Sequence, residues 1–184
     1  MKAIIGITGL NGAGKSTLAE YLKDHKGFTH LSFRAFITKE LEKRSLPPIR
    51  ENMRSVANEI RMKHGSGYFF EQMKEISDSS DVPIVIESLR TVNEVHHLKE
   101  IGGILIATTA PIEERYMRVV KRGSSTDMVS FDEFSDLEYK ESISENPDIQ
   151  NLPKVVAMAD YQIENINLDD FLVKVDLVLQ EILE

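Results

Sequence analysis

The chain has 184 residues, enough for one domain with a real core, and 41% of them are apolar. Thirty acidic against 22 basic residues leave a net charge of −8, which argues against a nucleic-acid polymer as partner, though local arginines can still hold a phosphate. With no cysteine, no run as long as a membrane span and a first strand starting near Lys2 and Ala3, the expectation is a cytoplasmic chain without disulfides, thiolate metal sites, membrane segment or signal peptide.

Ala3 to Thr8 is a continuous apolar run of strand length, as a buried parallel strand should be. Behind it stands Gly9-Leu10-Asn11-Gly12-Ala13-Gly14-Lys15-Ser16, followed by Thr17, which fits the phosphate-binding pattern G-x-x-x-x-G-K-[ST]. Glycines let the backbone turn its N–H groups inward, and the helix that follows aims its positive end at the same spot. Lys15 adds a full charge for the outer phosphates, and the Ser16 hydroxyl is placed to ligate Mg2+. At average residue usage, a chance match in a chain this long is on the order of 1%. Leu18, Tyr21 and Leu22 then recur at helical spacing, so the loop has the strand–loop–helix setting of a nucleoside triphosphate site.

The first helix should run to Lys26, with Gly27 ending it. Phe28 to Ser32 reads as a second strand and Phe33 to Arg44 as a helix, broken by Pro47-Pro48. Met53, Val56, Ala57 and Ile60 fall at i, i+3, i+4 and i+7, flanked by Arg50, Arg54 and Arg61. Gly65-Ser66-Gly67 closes that helix and another follows from Tyr68 to about Ser77. Residues 33–79 are therefore expected to be an arginine-rich helical insertion. Val82 to Glu87 is a buried strand ending in a carboxylate, with Arg90 three residues on.

A helix over Thr91 to Glu100 and a strand over Gly103 to Thr109 come next. Pro111 opens a helix that carries Arg115, Arg118, Lys121 and Arg122, and residues 123–127 read as a polar, flexible turn. Arg115 is expected to pair with Glu113 or Glu114, or with substrate. The acidic stretch 132–145 is helical or mobile, a helix ends near Ala159, and Tyr161 to Ile163 makes an edge strand. Asn165 and Asn167 are expected to cap the way into a last amphipathic helix, Leu168 to Leu183. Strands alternating with helices throughout predict a parallel sheet covered on both faces.

Ligands of such sheets gather at the carboxyl ends of the strands, where Glu87 and Arg90 stand. Glu87 is placed to hold Mg2+ through water or to position a nucleophile, and Arg90 to clamp an acceptor phosphate. Arg118 and Arg122, four apart on one face, are placed to neutralise charge on a transferring phosphoryl group. The adjacent His96 and His97 point to different sides of a helix and do not make a chelating pair.

These pieces, with "RENMRSVANEIRMKHGSG", "VIESLRTVNEV", "APIEERYMRVVKRG" and "VVAMADYQIEN", resemble the P-loop small-molecule kinases. The similarity covers nearly the whole chain and is nearest to the adenylate-kinase-related and dephospho-coenzyme-A-kinase-like branch of the nucleoside monophosphate kinases. It implies a three-layer α/β/α fold with a five-stranded parallel sheet, a helical acceptor-binding insertion over 33–79 and a small lid over 119–145. It further implies that Asn11 to Thr17 bind ATP phosphates and Mg2+, that Arg118 and Arg122 border the lid and that Asn165 lies near the adenine. Arg90, Arg61 and Arg34 would serve the acceptor. Where the family shows Asp-Gly before the strand-mouth arginine, this chain has Glu87-Ser88. Ala35, Thr38 and Ser124 stand where an aspartate and two arginines are usual.

The implied activity is ATP-dependent phosphoryl transfer to a nucleoside or deoxynucleoside monophosphate, by a monomer or homodimer. Dephospho-coenzyme A as acceptor is one alternative, and an ATP-binding regulator that transfers nothing is another. A GTPase is disfavoured by the lack of an Asn-Lys-x-Asp motif, and a transporter-type or ring ATPase by the lack of Leu-Ser-Gly-Gly and of a further domain.

Overall fold

A computed structural model describes residues 3–78, 81–124 and 129–183, without the side chains of 74–78. The end of the expected insertion at residue 79 and part of the expected lid, 125–128, lie outside the described residues, as do Met1, Lys2 and the 125–127 part of the expected turn. Five strands form one sheet: β1 (Ile4–Thr8), β2 (Thr29–Ser32), β3 (Ile84–Glu87), β4 (Ile104–Thr109) and β5 (Tyr161–Glu164). Their order is β2-β3-β1-β4-β5 and every pairing is parallel, with Ile5 level with Val85 on one side and with Ile104 on the other. Each parallel step needs a crossover, which the chain makes with helices.

The strand side chains alternate between two cores. Ile5, Ile7, Val85, Ile106 and Ile163 meet α1 (Lys15–Lys26) and α9 (Leu168–Leu183) through Leu18, Leu22, Phe171, Val175 and Leu179. On the opposite face Leu31, Ile84, Ile86 and Leu105 meet α2 (Phe33–Lys43), α3 (Arg50–His64), α4 (Tyr68–Asp78) and α5 (Val92–Glu100). The helices between β2 and β3 are thus part of the main core, tied in by Phe33 stacked on Phe69 at 5.0 Å. Two further helices, α6 (Ile112–Arg122) and α7 (Phe131–Lys140), lead to the short α8 (Leu152–Ala157). No helix among the described residues is long and apolar enough to cross a membrane.

Element bounds differ from the sequence expectations mainly at strand starts: β3 begins at Ile84 rather than Val82, and β4 at Ile104 rather than Gly103. The acidic stretch resolves into α7, opened by a Ser130–Glu133 capping box, and a loop running to Asn151. One cap is a correction. Asn167 Oδ1 accepts from the amides of Asp169 and Asp170 and caps α9, whereas Asn165 Nδ2 donates to the Ala13 carbonyl at 3.2 Å. Asn165 is buried against the loop after β1, where an idle amide would be costly, so it serves that loop instead of the helix.

Candidate active site

The loop after central β1 is shaped by backbone conformations that only glycine takes cheaply. Gly12 (φ 81°) and Gly14 (φ 102°) are left-handed, and a Cβ would fall 2.4 Å from the Arg115 carbonyl oxygen at Gly12 and 2.1 Å from Asn165 Nδ2 at Gly14. No side chain caps the start of α1, so its first-turn amides remain for an anion. Arg115 braces the loop from outside: Nη1 donates to the Asn11 carbonyl at 3.2 Å and Nε to that of Ala110 at 2.9 Å. Its ion pair is with Glu138 of α7, not Glu113 or Glu114, because the buried guanidinium turns inward, away from its own helix's solvent face.

Lys15 Nζ donates to the carbonyls of Gly9 and Leu10, at 2.8 Å each, and lies folded over the loop. Removal from water and the nearby Arg90 and Arg122 charges pull its pKa down to about 7, against the pull of Glu87 and Glu141. Ser16 Oγ donates to Glu87 Oε1 at 2.7 Å, and His30 Nε2 lies 3.0 Å from Glu87 Oε2. Burial pushes the Glu87 carboxyl up, but those hydrogen bonds and the His30 and Lys15 charges outweigh it and hold it below the usual range. A hydroxyl beside an ionised carboxylate fits Mg2+, which takes oxygen ligands and shares itself with substrate phosphates.

This cleft is lined by Asn11, Gly12, Lys15, Ser16, Arg90, Arg118, Arg122 and Asn165, among others. Arg118 Nη2 donates to the carbonyls of Asn165 (2.8 Å) and Ile166 (3.1 Å), while Arg122 Nη2 donates to Asn11 Oδ1 at 3.3 Å. Arg122 therefore reaches the loop, and Arg118 the turn after β5, both on the wall of this cleft. Thr17 and Arg34 lie on its wall too, whereas Ala13 is buried beneath.

A second cleft of about 610 Å³, counted to its open mouth, opens beside the first. Arg34, Arg50, Arg54, Arg61 and Arg90 line it with Phe33, Ile37 and Met53, and Glu141 is its carboxylate. The clefts adjoin, sharing Asn11, Arg34, Ser88 and Arg90 in their walls. Arg61 is fixed by Glu94 Oε1, 2.8 Å from its Nε, and lies over the Phe69 ring at 5.1 Å. Glu94 Oε2 accepts from the amides of Arg90 (2.7 Å) and Thr91 (3.1 Å), so one carboxylate positions both arginines. Arg50 Nε donates to Glu141 Oε1 at 3.0 Å, and Arg90 Nη1 stands 3.6 Å from Oε2.

The structure thus brings together Lys15, Ser16, Glu87, Arg90, Arg118, Arg122, Arg34 and Arg61. Sequence reasoning missed Glu141, Gln150 and His30 and left Arg50 and Arg54 as flanking residues. Glu141 sat in an acidic stretch with nothing to mark it from its neighbours. His30 carried a weak signal: on the strand beside β3 it lies opposite Val85, two residues before Glu87 and on the same face of the sheet.

A family model described as an AAA domain matches residues 5–141. A UPF0200 protein of Methanosarcina mazei is 35% identical over 136 residues, covering 72% of this chain and 72% of that protein. A UPF0200 protein of Thermococcus sibiricus is 28% identical over 170 residues, 88% of this chain and 85% of its own. Among solved structures, TT1252 from Thermus thermophilus matches with a TM-score of 0.66 at 24% identity over 98% of this chain and 97% of that one. A shikimate kinase from Bacteroides thetaiotaomicron matches at 0.56 and 14% identity, over 98% of each chain. At these identities the two structures show the fold, which is that of the P-loop kinases.

Proposed function

The chain belongs to the AAA-domain family of P-loop proteins and to the UPF0200 proteins, and from that premise we propose that it transfers the γ-phosphoryl group of ATP to a small phosphate-bearing acceptor, a nucleoside or deoxynucleoside monophosphate. One observation carries this reading: the cleft around the phosphate loop adjoins a second cleft lined by five arginines, and two of those arginines, Arg34 and Arg90, stand in both walls. A second anion site beside the first is what transfer between two phosphate-bearing substrates needs and what hydrolysis of ATP alone does not. In-line transfer needs little covalent chemistry beyond two charged partners held end to end.

The geometry supports the following roles. The amides of residues 12–17 and the Lys15 ammonium hold the triphosphate, with Lys15 swinging from the loop carbonyls to the phosphates. Ser16, and Glu87 through water, would hold Mg2+, which when bound offsets phosphate charge; His30 keeps Glu87 ionised and oriented. Arg90 stands at the seam, within reach of both substrates, and Arg34 and Arg61 complete the acceptor side. Arg118 and Arg122 neutralise charge on the group in transit, and Asn165 supports the loop close to the nucleoside.

The test is a coupled assay with Mg·ATP against NMPs, dNMPs and dephospho-coenzyme A. Turnover with a monophosphate is expected. Turnover with dephospho-coenzyme A alone would move the acceptor to a ribose hydroxyl, and tight ATP binding without transfer to any acceptor would make the chain a regulator.

A further inference from the structure

Buried polar atoms without a hydrogen-bond partner are rare in folded proteins, and each one asks for an explanation. Among the described residues seven side-chain atoms are in that condition, and five belong to residues lining the arginine cleft: Arg50 Nη1 and Nη2, Arg61 Nη1, Glu141 Oε2 and Gln150 Oε1. The three nitrogens are accounted for by an anion. The two oxygens are not: Glu141 Oε2 has the Arg90 guanidinium 3.6 Å away, too far for a hydrogen bond, and neither oxygen can accept anything from an ionised phosphate. Glu141 is 2% exposed and Gln150 4%, so bulk water does not satisfy them cheaply. Glu141 is moreover ionised: burial pushes its carboxyl up, but the Arg90 and Arg50 charges overcome this and hold it below the usual range.

Both residues are also held in place through their stretch of backbone. They sit at the two ends of the loop between α7 and α8, and that loop is pinned repeatedly to the body. The Asn151 amide donates to the Arg90 carbonyl at 3.1 Å, and the Leu152 amide to that of Glu141 at 3.1 Å. The Asn93 amide donates to the Pro147 carbonyl at 3.1 Å, while Asp148 Oδ1 accepts from Ser66 Oγ (2.7 Å) and Asn93 Nδ2 (2.9 Å). Preplaced acceptors of this kind favour a ligand that brings donors to meet them, and penalise one that does not.

We propose that Glu141 Oε2 and Gln150 Oε1 form a donor-reading subsite of the arginine cleft, so that the molecule bound there carries, besides its anionic group, at least one hydroxyl or amino group that donates to this pair. The inference deepens the acceptor reading above and rests on it. It makes the cleft selective: the arginines set affinity for the anion, and the two oxygens choose among anions.

Calorimetric titration tests it, with Mg2+ and a non-hydrolysable ATP analogue in excess. The probes are inorganic phosphate, the four ribonucleoside 5′-monophosphates, their 2′-deoxy forms, and purine riboside 5′-monophosphate, which is AMP without its amino group. At least one nucleotide should bind about tenfold or more tighter than inorganic phosphate. Loss of that surplus in the deoxy form assigns the donor to the ribose hydroxyl, and loss in the deamino form assigns it to the base. Gln150→Met, nearly the same shape, should reduce the surplus and leave phosphate binding unchanged. Glu141→Gln should reduce it further, because the amide oxygen will face Arg50 and turn its NH2 into the cleft, while phosphate binding holds or tightens.

A surplus that survives both variants, no surplus for any nucleotide, or an equal weakening of phosphate and nucleotides would overturn the subsite. The kinase reading fails separately. If this binding pattern is present and no phosphoryl group leaves Mg·ATP, the subsite stands and the transferase does not.

Discussion

The two clefts that meet at Arg90 are made of different material. The phosphate cleft is largely backbone: residues 9–17 are contiguous, their glycines take left-handed conformations, and the start of α1 supplies amides. Its charge comes mainly from one lysine and two arginines across the gap. The arginine cleft is gathered from distant parts of the chain: Asn11 of the loop, α2, α3, the β3–α5 link and both ends of the α7–α8 loop. Backbone cradles suit a group that every substrate of the class shares, a polyphosphate. Side-chain pockets suit the part that differs between substrates, since one substitution can retune them. The division of labour predicts where mutations will act on the common substrate and where on the specific one.

The largest effect should come from the lysine of the backbone cleft. Lys15→Ala should lower phosphoryl transfer by about 10³-fold, as loss of a charge preorganised for the transition state does. Folding stability should not fall with it, because the folded state holds this ammonium at a cost, with its pKa drawn down to about 7. Retained turnover within about tenfold of the parent would break the assignment of the loop. Arg90→Ala strikes the seam. It should raise the acceptor's KM by about 30-fold and that of ATP by less than about threefold, since the triphosphate keeps its amides and Lys15. A larger loss on ATP would place Arg90 with the backbone cleft rather than the arginine one.

The same contrast explains how much the sequence revealed. The parallel sheet, its helices and the phosphate loop follow from local patterns: an apolar run, a glycine spacing, a helical repeat. Glu87 and Arg90 were legible because a strand end is a place as well as a residue. The arginine cleft was legible only as a surplus of arginines on α3, with nothing to say which faced inward. Glu141 became visible only when the fold set it between Arg50 and Arg90, some fifty to ninety positions away in the chain. Arg115 shows the opposite error. Its nearest acidic neighbours in sequence, Glu113 and Glu114, lost to Glu138 because burial and the need to brace Asn11 decide the rotamer.

A smaller effect is set by pH. The folded-state pKa of Lys15, about 7, is below its ordinary value of 10.5, so the cost of holding the buried charge is present in full below pH 7. Between about pH 7 and 10.5 the folded chain binds fewer protons than the unfolded chain, and this group's contribution makes stability rise with pH across that window. Phosphates restore the ammonium, so polyphosphate binding at pH 8 should take up a proton and weaken as pH climbs. Calorimetry in two buffers of different ionisation heat reads the uptake directly. Lys15→Met should abolish it, and a parent chain that takes up no proton would show that Lys15 is already charged before the phosphates arrive.

The smallest expected effect concerns the residue at which the clefts join. Ser88 lines both and has φ 78°, in the left-handed region, where the resembling kinases carry glycine. A non-glycine residue held there costs about 1–3 kcal/mol, and the surroundings maintain it: the amides of Ser88 and Leu89 both donate to the Ile7 carbonyl, at 3.0 and 3.1 Å. Ser88→Gly relieves the strain but gives the unfolded chain back about 0.5–1 kcal/mol of freedom, for a net gain of about 1 kcal/mol, or a rise of about 2–4 °C in Tm. Thermal unfolding monitored by circular dichroism measures the shift, and the kinetic constants say what the serine is for. If the glycine variant is more stable and equally active, the strain is incidental to the site. If it is more stable but its acceptor KM rises while that of ATP holds, the strained turn is what aims Arg90 into the arginine cleft, and the specificity of the side-chain pocket begins in the backbone at its rim.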